Sequence, residues 1–213
     1  MNKKIQIIFD FDGVILKSHN IKTEGFYFIF KKFGHIVAKK AQNYHKKNIG
    51  ISRLKKFRFI KKKYFKNKEL SIENLDKNFK KYCLNRINVL KVNAHLLKFF
   101  KKKTKKYDLF ISTGTPEKEI IHILKNKKIF NYFKKVFGSP STKIEHINKI
   151  KNKYQKRIFI GDSKEDYLSS KKTKTLFILR EHKENKKEFK NIKVPKIINF
   201  INLNKNILKI IQN

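Results

Sequence analysis

The chain has 213 residues, 39% of them hydrophobic and 33% charged, which is enough to bury the core of one domain, or of one domain with an insertion, and excludes disorder throughout. A single cysteine, Cys83, excludes an internal disulfide framework and fits a reducing compartment, where Cys83 serves as a small apolar filler. With 55 Lys+Arg against 16 Asp+Glu the formal charge is +39, so acids placed in clusters stand out against the background.

The first apolar run, Ile5–Phe9, is nearly continuous and reads as a buried parallel strand. It ends in Phe9-Asp10-Phe11-Asp12-Gly13-Val14, two carboxylates one residue apart, a costly pairing unless a cation or a shared proton compensates it. The same acids interrupt the N-terminal apolar segment too early for a signal peptide, and no run approaches the ~18 apolar residues of a membrane span. A soluble, cytoplasmic protein without a membrane partner is therefore expected.

Residues 17–90 are helical in pattern throughout, at Ile21–Phe33, Val37–Lys47, Arg53–Phe65 and Ile72–Val89. They are expected to form a second, smaller helical domain inserted after the first strand. Between its second and third helices, Gly50-Ile51-Ser52-Arg53 offers a glycine for close approach, a Ser52 cap, and Arg53 and Lys56 on one helix face. These residues fit either a substrate-reading loop or a plain helix junction.

Further strands are expected at Leu109–Ser112, Lys135–Phe137, Arg157–Ile160 and Thr175–Leu179, with helices at Pro116–Asn126, Lys143–Tyr154 and Lys164–Lys172 between them. The turn Thr113-Gly114-Thr115-Pro116 puts Thr115 at the N-cap and Pro116 at the first helical position, with Glu117 and Glu119 favourable to the dipole. From Val194 onward a strand-like piece and a short helix pack back onto the sheet. Strand followed by helix, repeated, is the pattern of an open α/β sheet.

In such sheets ligands bind beyond the carboxyl ends of the strands. That edge collects Asp10 and Asp12, then Thr113, then Asp162 of Gly161-Asp162-Ser163 with Asp166 close behind, and Lys143 opens a helix after Gly138-Ser139-Pro140-Ser141-Thr142. The set suits phosphoryl transfer: a carboxylate can act as nucleophile, and magnesium takes carboxylate and carbonyl oxygens such as Asp10, Asp162 and a carbonyl near Asp12. A lysine and a hydroxyl then counter charge on the phosphate. The seven histidines are scattered without a ligand pattern and read as surface or partly buried residues.

Taken together, Asp10-Phe11-Asp12-Gly13-Val14, Ser112-Thr113-Gly114-Thr115, Lys143 and Gly161-Asp162-Ser163-Lys164-Glu165-Asp166 resemble, in order, the four signatures of the haloacid dehalogenase-like hydrolases. The resemblance implies an α/β fold with a Rossmann-like catalytic core, residues 1–16 and 91–213, and a helical cap, residues 17–90. It implies a magnesium-dependent phosphatase acting on a small phosphorylated metabolite through an aspartyl-phosphate, with a phosphosugar mutase as the nearest chemical alternative. Asp10 would be the nucleophile and Asp12 the general acid and base, an acid absent from the dehalogenating branch. Thr113 with Gly114, or Ser112 one register away, and Lys143 would hold the phosphate. Asp10, Asp12 and Asp162 would hold the metal, Asp166 would orient its surroundings, and Arg53 and Lys56 of the cap would meet the leaving group.

A nucleic-acid-binding protein is the rival from another class, since +39 attracts polyanions through counterion release. The lysines, however, are spread along nearly every segment, and arginine, the better bidentate phosphate binder, occurs only at Arg53, Arg58, Arg86, Arg157 and Arg180. The excess of Lys, Asn, Ile and Phe reads mainly as A/T-rich codon usage.

Overall fold

Ile7, Ile8 and Phe9 are fully buried, and the strand they belong to, β1 (Ile5–Phe9), runs through the middle of a six-stranded sheet. On one side lie β2 (Tyr107–Pro116) and then β3 (Lys135–Ser139). On the other lie β4 (Arg157–Gly161), β5 (Leu176–Arg180) and β6 (Lys196–Ile197), and every neighbouring pair is parallel. The order β3-β2-β1-β4-β5-β6 makes the chain leave β1 in one direction and return to its other side at β4. A crevice opens at such a reversal, beyond the carboxyl ends of β1 and β4.

Register decides which residues reach that crevice. Phe9 pairs with Ile111 on β2 and with Ile160 on β4, and the Asp10 N–H donates to the Ile160 carbonyl at 2.9 Å. Asp10, Ser112 and Gly161 thus lie at one level across the sheet, with Thr113 and Asp162 one residue further toward its carboxyl edge. Beyond Asp10 the chain turns sharply: Gly13 takes a φ of +80°, which favours glycine, and its N–H donates to the Leu16 carbonyl at 2.7 Å.

The computed structural model describes residues 5–65, 70–103, 106–150 and 156–212, and the chain divides into two units, Met1–Leu16 with Lys91–Asn213 and Lys17–Leu90. Among the described residues the second unit carries four α-helices, α1 (His19–Phe30), α2 (His35–Lys47), α3 (Arg53–Tyr64) and α4 (Ile72–Val89), with a 3-10 turn at Lys31–Phe33. Its core is aromatic. The Phe26 ring stacks on His45 with centroids 4.3 Å apart and meets Phe57 at 5.2 Å and Phe79 at 5.1 Å. Cys83 is buried in α4.

The first unit carries α5 (Ala94–Lys103), α6 (Glu117–Asn126), α7 (Lys143–Lys149), α8 (Lys164–Lys172) and α9 (Leu203–Gln212). Helix α5 has no counterpart in the sequence reading. Its start is marked by Asn93, whose Oδ1 accepts from the N–H groups of His95 and Leu96 at 2.9 and 3.3 Å. The expected cap at Thr115 also differs. β2 continues to Pro116, where pairing with Ser139 resumes after a register shift, so Pro116 takes the N-cap place and α6 opens at Glu117. The helix expected over Lys143–Tyr154 is shorter: α7 ends at Lys149, where Ile150 turns to an extended conformation, and the remainder of the expected range, 151–154, lies outside the described residues. Among the described residues no helix is long and apolar enough to cross a membrane.

Candidate active site

At the carboxyl end of β1, Asp10 meets Lys143, the first residue of α7. The Lys143 Nζ lies 3.0 Å from Asp10 Oδ1 and also donates to Asp166 Oδ1. Asp10 and Lys143 are each 3% exposed, Asp162 is 2% exposed and Asp166 is fully buried, so bulk water screens none of these charges. Carboxylate oxygens of Asp10, Asp162 and Asp166 all lie within 4.8 Å of one another.

Each member is fixed by local structure. Thr142 and Glu145 close a capping box at the start of α7, with Thr142 N–H donating to Glu145 Oε2 at 2.6 Å, which sets the position from which Lys143 departs. A second capping box opens α8: Asp166 Oδ2 accepts from Ser163 N–H at 3.0 Å, from Ser163 Oγ at 2.6 Å and from Asp162 N–H at 3.2 Å. Gly161 permits this approach, since a Cβ there would sit 2.5 Å from Asp166 Cβ. The segment Gly161-Asp162-Ser163 is therefore a helix cap and a carboxylate site at once.

Burial pushes the Asp10 carboxyl well above the usual carboxylate range; Lys143 pulls it down, and Asp166, Asp162 and Asp12 push it up again. For Lys143, burial alone would favour the neutral amine, but Asp10 and Asp166 outweigh it and raise its pKa. The lysine therefore stays charged. Asp10, Asp162 and Asp166 gather three carboxyl groups around one ammonium, and the donors are hard oxygens. This is a set that a divalent cation such as magnesium fits.

The hydroxyls of β2 divide between two tasks. Thr113 Oγ1 accepts from Thr115 N–H at 3.2 Å and keeps its own proton for another acceptor. Ser112 Oγ instead lies 2.9 Å from His146 Nδ1, and the other ring nitrogen, Nε2, is 3.1 Å from the Gly138 carbonyl. A carbonyl can only accept, so Nε2 carries the proton and Nδ1 accepts from Ser112. Thr115, in place of capping α6, donates to Asp12 Oδ2 at 3.2 Å.

Three participants were not legible in the sequence. His146 is 1% exposed and not on the surface; it falls one helical turn after Lys143, and that spacing was the available signal. His182 Nε2 lies 2.8 Å from Asp162 Oδ2, and Asn185 Nδ2 donates to the Asp162 carbonyl at 2.8 Å. In the helical unit, Arg53 pairs in bidentate fashion with Asp76 at 2.6 and 3.3 Å, and Lys56 Nζ is 3.0 Å from His45 Nδ1. Ser52 holds the N-cap place of α3, but its side chain makes no capping bond. His45 is also buried, which holds its pKa well below the usual value, with Lys56 adding to the effect.

A family profile described as haloacid dehalogenase-like hydrolase matches residues 7–180. No curated protein matches the sequence. Among solved structures, a β-phosphoglucomutase of Clostridium difficile superposes with a TM-score of 0.74 at 16% identity, covering 100% of both chains. A predicted phosphatase of Clostridium acetobutylicum gives 0.72 at 19% identity over 98% of this chain and 100% of that one. YfnB of Bacillus subtilis, solved with magnesium bound, gives 0.66 at 15% identity over 98% and 100%. At these identities the likeness is one of fold.

His146 supplies a test of this wiring that needs no substrate. Burial lowers its pKa from 6.5 to about 4, against the raising effect of the Gly138 carbonyl, with Lys143 and Lys149 lowering it further. The unfolded chain takes up this proton near the ordinary pKa and the folded chain does not. The stability His146 contributes is thus complete above pH 6.5 and is lost as pH falls toward 4. Urea denaturation at pH 7 and pH 4 should show the wild type losing up to about 3 kcal/mol more than His146→Gln over that range. Parallel losses in the two proteins would contradict the buried, neutral assignment.

Proposed function

The chain belongs to the haloacid dehalogenase-like hydrolases, and from that premise we propose that it is a magnesium-dependent phosphatase for a small phosphorylated metabolite. The observation that carries the reading is the Lys143 ammonium set between Asp10 and Asp166 at the mouth of the β1/β4 crevice. One buried carboxylate is thereby steadied for attack, and one cation is provided for a phosphate oxygen. The magnesium-bound relative and the oxygen-rich cluster support the choice of metal.

In the first step an Asp10 oxygen attacks phosphorus, the bond from phosphorus to the ester oxygen breaks, and Asp12 passes its proton to the leaving alcohol. In the second, Asp12 takes a proton from water as that water attacks phosphorus; the Asp10–phosphorus link breaks and phosphate is released. Thr115, hydrogen-bonded to Asp12, fixes the direction of that carboxyl. Thr113, with Gly114 beside it, donates to a phosphate oxygen, and Lys143 offsets the charge that develops there. Asp10, Asp162 and an oxygen from Asp12 would hold magnesium, which when bound would supply the positive charge that offsets the repulsion between these carboxylates and the incoming phosphate. A phosphosugar mutase would use the same residues, and the likeness to β-phosphoglucomutase keeps it as the alternative. Arg53 and Lys56 are proposed to recognise the leaving group, exchanging Asp76 and His45 for substrate when it binds.

Asp10→Asn keeps the side-chain shape and removes the nucleophile. Turnover of an aryl phosphate should vanish while circular dichroism stays that of the wild type, and in the wild type a chelator should stop turnover until magnesium is restored. Substantial activity in folded Asp10→Asn would falsify the nucleophile assignment. Arg53→Ala and Lys56→Ala should leave aryl phosphate hydrolysis intact and reduce that of the best metabolite in a substrate panel by roughly 10- to 100-fold, the value of a charge-assisted hydrogen bond of ~1.5–3 kcal/mol. Equal effects on both substrates would return Gly50–Phe57 to the role of a helix junction.

A further inference from the structure

The loop after β5 is spliced onto the end of β4 by one buried amide. Asn185, 4% exposed, donates from Nδ2 to the Asp162 carbonyl at 2.8 Å and to the Arg180 carbonyl at 3.0 Å. Its Oδ1 accepts from the His182 N–H at 2.9 Å. This one side chain therefore joins the last residue of β5, the residue after β4, and the backbone of His182. The His182 ring then has little freedom: Nε2 lies 2.8 Å from Asp162 Oδ2, and Nδ1 lies 2.8 Å from Glu184 Oε2. Backbone and carboxylate of Asp162 are gripped by the same six-residue stretch, Arg180 to Asn185.

We infer that His182 is a positioning residue for Asp162, seated by Asn185, that fixes the carboxylate in the orientation from which it binds a divalent cation. The inference rests on the reading of Asp162 as a cation ligand. A carboxylate has two oxygens; with Oδ2 committed to His182, Oδ1 is assigned to the ion. Hydrogen-bonded partners of ligating carboxylates remove rotamer freedom that the ion would otherwise have to freeze, and their loss costs about 10- to 100-fold in metal affinity. The residue type matters in this chain. Lys183, Lys186 and Lys187 follow closely in sequence, and a lysine reaching Asp162 would bring a fixed positive charge into competition with the cation. An imidazole donates to Asp162 from Nε2 in the Nε2–H tautomer as well as in the doubly protonated ring, so its hold on the carboxylate does not require a fixed charge. Asp162, Arg180, His182, Glu184 and Asn185 all belong to the sheet-bearing unit, and neither His182 nor Asn185 takes part in the phosphoryl steps.

The test is magnesium binding to the full chain by titration calorimetry, with no substrate present, for the wild type, His182→Ala and His182→Gln. His182→Ala should bind magnesium 10- to 100-fold more weakly than the wild type. His182→Gln, whose amide can donate from nearly the position of Nε2, should recover most of the loss, with circular dichroism and a cooperative thermal melt showing all three proteins folded at the temperature of the titration. Wild-type binding matched or exceeded by His182→Ala would overturn the inference and leave the cation reading of Asp162 standing. No magnesium uptake by the wild type would overturn both. Equal loss in His182→Ala and His182→Gln would also overturn it, since the effect would then not follow the hydrogen bond.

Discussion

Everything at the sheet edge depends on keeping three carboxylates buried beside a single lysine. Separating a buried ion pair by removing one partner costs about 3–5 kcal/mol, because the charge left behind has neither water nor a counterion. Lys143 must therefore reach both Asp10 and Asp166, and the structure fixes its origin from two sides: the Thr142–Glu145 capping box holds the start of α7, and His146 ties the same helix to Ser112 on β2 and to Gly138 on β3. A loose α7 would release the ammonium that the cluster holds.

The same bonds serve fold and site, so the two cannot be separated by inspection of any one residue. Asp166 ends the exposed backbone donors of α8 with one oxygen and binds Lys143 with the other. The bareness of Gly161 lets that side chain lie against β4. Residual imbalance remains after all these contacts, as the upward displacement of the Asp10 carboxyl indicates. A fold built only for stability would replace such a cluster with apolar residues; retaining it makes sense if a cation and a phosphate complete it.

The sheet was the most legible part of the chain. Buried parallel strands must be apolar on both faces, so Ile5–Phe9 and Arg157–Ile160 announce themselves without any periodicity, and Asp10 and Asp162 follow from where those runs stop. Ile72–Val89 and Lys164–Lys172 begin at the expected residues because Ser71 and Ser163 cap their N-termini. Helix α5 escaped because Lys98 and Lys101 to Lys103 leave it only a short apolar stripe, resembling the lysine-rich connections elsewhere. Thr115 was misassigned because a favourable N-cap residue also suits an extended strand, and ladder pairing at Pro116 won. His182 and Asn185 carry no local signature at all. They sit in a loop, and their partner Asp162 lies 20 and 23 residues away along the chain.

The excess of lysine gives the whole surface an attraction for anions and lends no precision to any of it, whereas the acids, being few, mark the site. The central claim is that one of those acids, Asp10, becomes covalently phosphorylated. It is tested most directly by mixing the protein with magnesium and a reactive phosphate ester, quenching in acid within a turnover, and locating protein-bound phosphoryl groups by peptide mass spectrometry. The account predicts a transient phosphoryl group on the peptide containing Asp10. Turnover with no phosphorylated peptide, or with the group on any other residue, would contradict it.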